Sequence, residues 1–171
     1  MDKPRILIVD DDDELRSQMK WAFNQYYDVL LAEDRPSALQ LLKHERPNIV
    51  TLDLGLPPSP GDTREGFMTL AEMLDVDPLL KVIVVTGQDE KENGIEAIGQ
   101  GAYDFFCKPV NIDELKVVLD RATYIQELER GGLDLVGRDE IESFEGITGN
   151  SPQIQSVFNT IRKISNSSAP V

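Results

Sequence analysis

Residues 5–13 read RILIVDDDD, an apolar run that stops at four successive aspartates. Isoleucine, leucine and valine without polar alternation are typical of a strand buried on both faces, as strands are in a parallel sheet. The aspartates then follow the carboxyl end of that strand, where ligands bind in open parallel sheets. This stretch therefore predicts both a fold class and the position of a polar site.

Four more apolar runs follow, and a segment of helical period comes after each of the five runs. The predicted strands are 5–9, 28–32, 48–52, 81–85 and 103–107, and the predicted helices are 13–26, 35–45, 65–75, 89–99 and 111–129. Strict alternation of this kind implies a parallel sheet with helices on both faces. We expect an α/β, doubly wound five-stranded parallel sheet of the flavodoxin-like order 2-1-3-4-5, with a helical C-terminal extension.

Polar side chains follow four of the five predicted strands. Asp10 and Asp11 follow the first strand, Asp53 the third, Thr86 the fourth and Lys108 the fifth. In the predicted order these strand ends lie side by side, so the five groups should converge on one crevice. Asp12 and Asp13 we interpret instead as helix-capping and solvated turn residues.

Three carboxylates in one crevice repel one another unless a cation neutralises them. Oxygen ligands favour a hard divalent ion, Mg²⁺ first and Mn²⁺ as an alternative. Beside such an ion an ionised Asp53 can attack phosphorus and become an acyl phosphate, while Lys108 neutralises charge on the phosphoryl oxygens. Thr86 has a hydroxyl that can donate to the transferred group.

Four motifs of the chain resemble those of the receiver domains of two-component response regulators. They are ILIVDDD (6–12), TLDLGLP (51–57), VIVVTG (82–87) and GAYDFFCKP (101–109), and their order and spacing match over residues 4–128. The resemblance implies that Asp53 accepts a phosphoryl group from a sensor histidine kinase. It also implies that Asp10 and Asp11 are the acidic metal pair, and that the backbone carbonyl of Gly55 completes the metal site.

The same resemblance assigns the remaining residues of the site. It implies that Thr86 is the switch hydroxyl, Phe105 the switch aromatic residue and Lys108 the phosphate-binding lysine. The peptide bond before Pro109 is commonly cis in this family, so Pro109 is a candidate for a cis bond here. One departure stands out, because most receivers have a glycine about eight residues after the phospho-acceptor. Here the candidate is Gly66, and the proline-rich residues 57–62 intervene. We hypothesise that this insertion alters access to the site; a harmless stiff loop is the alternative.

The C-terminal part resembles a different domain. Residues 146–171, GITGNSPQIQSVFNTIRKISNSSAPV, resemble the opening of the AAA+ ATPase domain of sigma-54-dependent activators of the NtrC type. We therefore predict a receiver domain at 1–130, a linker at 131–146 with Gly131-Gly132 ending the fifth helix, and a truncated AAA+ domain at 147–171. No G-x-x-x-x-G-K-[ST] sequence is present, so ATP hydrolysis and contacts with nucleic acid and sigma-54 RNA polymerase would need domains that are missing here.

Two features of the long fifth helix and the proline-rich loop suggest finer assignments. The apolar stripe of the helix either forms a dimer seam or packs on its own domain. The resemblance implies a homodimer through the fourth helix, fifth strand and extended fifth helix. The DLGLPP phrase (53–58) resembles regulators associated with exopolysaccharide and PEP-CTERM/exosortase loci.

Composition excludes several classes of protein. The 171 residues carry a formal net charge of −14, which repels a phosphate backbone, so this chain should not itself bind nucleic acid. No apolar stretch is long enough to span a membrane, and the N-terminus lacks the pattern of a signal peptide. The single cysteine, Cys107, precludes an internal disulfide and fits a reducing compartment. We expect a cytoplasmic protein without a membrane partner.

Two other functions fit the same fold. A phosphorelay shuttle passes its phosphoryl group onward without an output domain, and it would not need the amphipathic helix predicted at 151–165. A flavodoxin-like electron carrier would need a hydroxyl- and glycine-rich loop after the first strand, where this chain has aspartates. We prefer a regulatory phospho-acceptor that is not an enzyme beyond its own phosphorylation and dephosphorylation.

Overall fold

The computed structural model describes residues 3–87 and 89–142, with side chains through residue 133. The chain divides into two units, Met1–Gly131 and Gly132–Val171. Within the second unit the described residues are 132–142, which have helical backbone.

The first unit contains one five-stranded parallel sheet. Its strands are β1 (Arg5–Val9), β2 (Asp28–Ala32), β3 (Ile49–Asp53), β4 (Lys81–Thr86) and β5 (Asp104–Cys107). Their order is β2-β1-β3-β4-β5, and every neighbouring pair is parallel. The predicted fold and strand order are confirmed. Because the register pairs Val9 with Leu52, Asp53 with Val85 and Thr86 with Cys107, the carboxyl ends of the strands meet at one edge.

Helices cover both faces of the sheet. They are α1 (Asp13–Phe23), α2 (Arg35–Glu45), α3 (Arg64–Val76), α4 (Lys91–Gly99) and α5 (Ile112–Glu142). Alternate residues of a strand point to opposite faces, so the sheet supplies two apolar cores. One core combines Leu7, Val50 and Val84 with α2, α3 and α4 residues, and the other combines Ile6, Ile8 and Ile83 with residues of α1 and α5.

The aspartates after β1 divide between the site and the helix that follows. The Asp12 side chain accepts hydrogen bonds from the backbone N–H groups of Glu14 (2.9 Å) and Leu15 (3.1 Å). Asp12 is therefore the N-cap of α1, which confirms its prediction as a capping residue. The helix itself ends at Phe23, about one turn earlier than predicted.

The predicted end of α5 is wrong. The helix runs through Gly131-Gly132 to Glu142, so most of the segment predicted as a linker is helical. Glycine in a helix interior costs only about 1 kcal/mol relative to alanine, and strong helix formers such as Leu128, Arg130 and Leu133 surround the pair. The domain start predicted at 147–171 lies outside the described residues.

Ion pairs tie α5 to the far end of the sheet. Glu129 pairs with Lys81 at the start of β4 (2.6 Å), and Arg130 pairs with Asp77 in the loop before β4.

Among the described helices, none combines the length and the apolar character needed to cross a bilayer.

Thr51 leads to a prediction about stability. Its side chain is only 1% exposed in the middle of β3, and its hydroxyl has no hydrogen-bond partner in the described part of the chain. A buried unsatisfied hydroxyl is unfavourable and valine has the same shape, so Thr51→Val should raise the free energy of unfolding by about 1 kcal/mol. Urea unfolding followed by circular dichroism measures this.

Thr69 provides the matched control. It is also fully buried, but its hydroxyl donates to the carbonyl oxygen of Glu65 at 2.7 Å. Thr69→Val should therefore give no gain in stability. If Thr51→Val is no more stable than Thr69→Val, the unsatisfied hydroxyl of Thr51 does not destabilise the protein.

Candidate functional site

Three carboxylates meet at the carboxyl edge of the sheet. Asp10 directly follows β1, and Asp53 is the last residue of the neighbouring strand β3. Both are buried, with 3% and 6% exposure, whereas Asp11 is exposed. One carboxylate oxygen from each of the three lies within 4.8 Å of the other two. This arrangement follows from the register of β1 and β3, because each strand ends its apolar run at the same level.

Lys108 brings a positive charge into the cluster. Its Nζ atom lies 3.0 Å from Oδ2 of Asp10 and 3.1 Å from Oδ2 of Asp53. The backbone after β5 is fixed by the Lys108 N–H, which donates to the Thr86 carbonyl (2.8 Å), and the Lys108-Pro109 peptide bond is cis. Burial alone would lower the pKa of Lys108, but attraction to Asp53 and Asp10 outweighs it and raises that pKa.

The charge of the cluster is not balanced by this lysine. Burial, followed by repulsion from Asp53, raises the pKa of Asp10 although Lys108 acts in the opposite direction. One ammonium faces three carboxylates, so the ionised cluster keeps an excess of negative charge. Carboxylate oxygens at this separation are the donor set that a hard divalent cation prefers. The residues present therefore fit a metal ion.

Gly55 lies where the backbone turns away from β3. Its N–H donates to Oδ1 of Asp53 at 3.1 Å, which fixes that carboxylate. A Cβ atom on Gly55 would lie 2.8 Å from the carbonyl oxygen of Pro60, so the proline-rich insertion packs directly on this turn. The Pro57-Pro58 peptide bond within the insertion is cis. That Gly55 offers its carbonyl to a metal stays a prediction.

Gly66 follows the same loop and lies in the first turn of α3. Near the start of α3, a Cβ atom at this position would lie 2.3 Å from the Cα atom of Leu54. The helix therefore approaches the residue after Asp53 as closely as backbone allows. This contact is the physical reason for a glycine at the start of the third helix.

Thr86 lies beside the cluster at the end of β4. It is fully buried, and its hydroxyl donates to Oε2 of Glu90 at 2.7 Å. The N–H of Gly87 donates to the same oxygen at 3.3 Å. Sequence reasoning missed Glu90, because its only signal is a position four residues after Thr86 at the predicted start of a helix.

Phe105 lies on β5 between the sheet and α4. Its half-buried ring packs against the core that contains Val84. A Cβ atom on Gly94 of α4 would lie 2.2 Å from Cδ2 of this ring. The ring thus occupies the space that a side chain at Gly94 would need, and any movement of Phe105 changes the packing of α4.

Arg16 is a second residue that sequence reasoning missed. It is buried on α1, and its Nη1 donates to the carbonyl oxygen of Asp10 at 2.5 Å. Its Nη2 donates to Oδ1 of Asp13 at 2.9 Å and lies 3.8 Å from Glu33. Arg16 therefore fixes the backbone between β1 and α1 from which Asp10 and Asp11 project.

The raised pKa of Asp10 leads to a prediction about pH. A carboxyl group whose pKa is higher in the folded state favours folding at low pH, and that contribution is lost as the pH rises through the folded-state pKa. In EDTA at pH 7, Asp10→Asn should therefore raise the free energy of unfolding. The difference should shrink at acidic pH, because wild-type Asp10 then becomes neutral.

Asp75 on α3 is the control, since its carboxylate is exposed. Asp75→Asn should change stability little at either pH. Chemical denaturation at several pH values measures both variants. A metal-free Asp10→Asn protein that is less stable than wild type at pH 7 would contradict the electrostatic account.

Comparisons with known proteins agree on one family. A family model described as the response regulator receiver domain matches residues 6–120. The chain is 33% identical over 127 residues to the regulatory protein AtoC of Escherichia coli (strain K12), which is 74% of this chain and 26% of AtoC. It is 27% identical over 173 residues to the DNA-binding transcriptional regulator NtrC of Proteus hauseri, which is 100% of this chain and 35% of NtrC.

Solved structures give the same result. The crystal structure of NtrX from Brucella abortus in complex with ADP matches with a TM-score of 0.70 and 29% identity, over 96% of this chain and 35% of that one. The chain thus spans about a quarter to a third of the length of these relatives.

Proposed function

Because the chain belongs to the response regulator receiver domain family, we propose that it is the regulatory part of a two-component response regulator and that Asp53 is its phospho-acceptor. The observation that carries this proposal is the Lys108 ammonium, which lies 3.0 Å from Asp10 and 3.1 Å from Asp53 within a cluster of three carboxylates. A nucleophilic carboxylate, a fixed cation and a metal-binding donor set are together what phosphoryl transfer requires.

The chemistry starts from the ionised carboxylate of Asp53. An Oδ atom attacks the phosphorus of a phosphohistidine on the sensor kinase; a P–O bond forms, the P–N bond breaks, and its electron pair stays on the imidazole. Lys108 neutralises charge on the phosphoryl oxygens. A divalent ion, Mg²⁺ by preference and Mn²⁺ as a substitute, would be held by Asp10, Asp11, Asp53 and the Gly55 carbonyl and would supply further neutralisation. The protein acts as a phospho-acceptor that catalyses only its own phosphorylation and dephosphorylation.

The signal passes from Asp53 to the surface through Thr86 and Phe105. Phosphorylation adds negative charge and new acceptor oxygens, which attract the Thr86 hydroxyl. Phe105 then moves into the space left beside β4, and the α4-β5-α5 surface rearranges. The phosphoryl group thereby shifts an equilibrium between two existing arrangements of one fold.

The output of this switch is a change in self-association. Exposed apolar side chains lie on α4 and α5: Ile95, Ile98, Val117, Tyr124 and Leu128. Together with the extension of α5 to Glu142, they support a homodimer through α4-β5-α5 and the extended helix. The long helix also favours an output role over a shuttle.

The longer relatives suggest how the pathway continues. In a longer protein the dimer would control an AAA+ domain that begins at 147–171 and acts on sigma-54 RNA polymerase, with a further domain for nucleic acid. The matches to AtoC, NtrC and NtrX, of which this chain covers only the smaller part, support this arrangement. We propose that the protein is cytoplasmic, because it must meet the histidine that a sensor kinase presents in the cytoplasm.

Intact-protein mass spectrometry after incubation with acetyl phosphate tests the acceptor. Wild type with Mg²⁺ should gain one phosphoryl group, and the gain should be lost in EDTA and in Asp53→Asn. Asp62→Asn is the matched control, because Asp62 is an exposed carboxylate in the nearby insertion, and it should label like wild type. Labelling of Asp53→Asn at the wild-type level would refute the assignment.

A further inference from the structure

The hydroxyl of Thr86 is already engaged in the unphosphorylated protein. It donates to Oε2 of Glu90 at 2.7 Å, and Thr86 itself is fully buried. A hydroxyl has a single O–H, so it serves one acceptor at a time. While Thr86 donates to Glu90, it cannot donate to a phosphoryl oxygen on Asp53.

Glu90 has an unusual place for a helix-capping residue. It precedes the first turn of α4, yet its side chain makes no capping bond to that helix. The carboxylate points back to the end of β4 instead, where it accepts from the Thr86 hydroxyl and from the Gly87 N–H. Glu90 thus joins the start of α4 to the strand that carries Thr86.

The same helix touches the second switch residue one turn later. Gly94 is buried against the Phe105 ring, with no room for a side chain between them. The first turns of α4 are therefore held at two points, by Glu90 to Thr86 and by Gly94 to Phe105. A change at either contact reaches the helix directly.

We propose that Glu90 is a positioning residue that holds Thr86 in the unphosphorylated arrangement, and that phosphorylation of Asp53 takes the hydroxyl away from Glu90 and frees the first turn of α4. This inference rests on the proposed function of Asp53. In this proposal the bond to Glu90 stabilises only the unphosphorylated arrangement. A variant that lacks the bond therefore shifts the equilibrium toward the phosphorylated arrangement. Glu90 thereby influences the equilibrium between the unphosphorylated and the phosphorylated arrangement.

Binding of beryllofluoride in the presence of Mg²⁺ tests this on the full chain, with backbone amide shifts as the readout. A charge-assisted hydrogen bond of this kind is worth about one order of magnitude in an equilibrium, so Glu90→Ala should bind beryllofluoride about five- to tenfold more tightly than wild type. Glu92 is the matched control, since it is an exposed acidic residue in the same turn. Glu92→Ala should bind like wild type, and an unchanged or weaker affinity of Glu90→Ala would overturn the inference.

A double-mutant cycle separates positioning from a general effect on folding. With Thr86→Val there is no hydroxyl to hold, so adding Glu90→Ala should bring no further gain in affinity. An equal gain in that background would overturn the proposal. If Glu90→Ala does not fold, Glu90→Gln takes its place; its neutral amide oxygen is a weaker acceptor, so the gain should be smaller but in the same direction.

The controls also separate this inference from the proposed function. Wild type that does not bind beryllofluoride, or Asp53→Asn that binds it equally well, would refute the role of Asp53 and the inference with it. Normal binding by wild type, no binding by Asp53→Asn and no gain in Glu90→Ala would refute the role of Glu90 alone.

Discussion

Two buried carboxylates face each other across neighbouring strands, and the ammonium of Lys108 lies within 3.1 Å of both. A buried charge without a partner costs several kcal/mol, so the Lys108 ammonium stabilises the two carboxylates at this edge. Yet Lys108 does not balance the cluster, because Asp11 adds a third negative charge. Burial first, and then repulsion from Asp53, raises the pKa of Asp10. The fold therefore holds a site with an excess of negative charge, which a divalent cation would offset.

Other parts of the structure serve to hold this arrangement. The parallel register of β1, β3 and β4 brings the strand ends to one level, and Arg16 fixes the turn after β1. Gly66 lets α3 approach the turn after β3. On the other side, Glu90 joins α4 to the end of β4 and Gly94 joins it to Phe105 on β5; the proposed switch would act through these two contacts.

The sequence was most informative where a local pattern determines the structure. Unbroken apolar runs such as Ile6–Val9 predict buried parallel strands, and the order of the strands then places Asp10, Asp53 and Lys108 together. The end of α5 lies beyond the predicted Gly131-Gly132, because the strong helix formers around this pair outweigh the cost of two glycines. Arg16 and Glu90 were missed because their partners are fixed by side-chain packing, which leaves no periodic trace in the sequence. The close contact between Gly94 and Phe105 leaves no trace in the sequence for the same reason.

The central claim is that the three carboxylates form a single cation site on which the switch depends. Titration of ¹⁵N-labelled protein with Mn²⁺ tests it most directly, because a bound paramagnetic ion broadens nearby amide signals first. We expect that the first signals lost at low Mn²⁺ concentration are those of Asp10, Asp11, Asp53 and Gly55, and that Mg²⁺ restores them. Earlier broadening at other acidic surface residues, with these four unaffected, would contradict it.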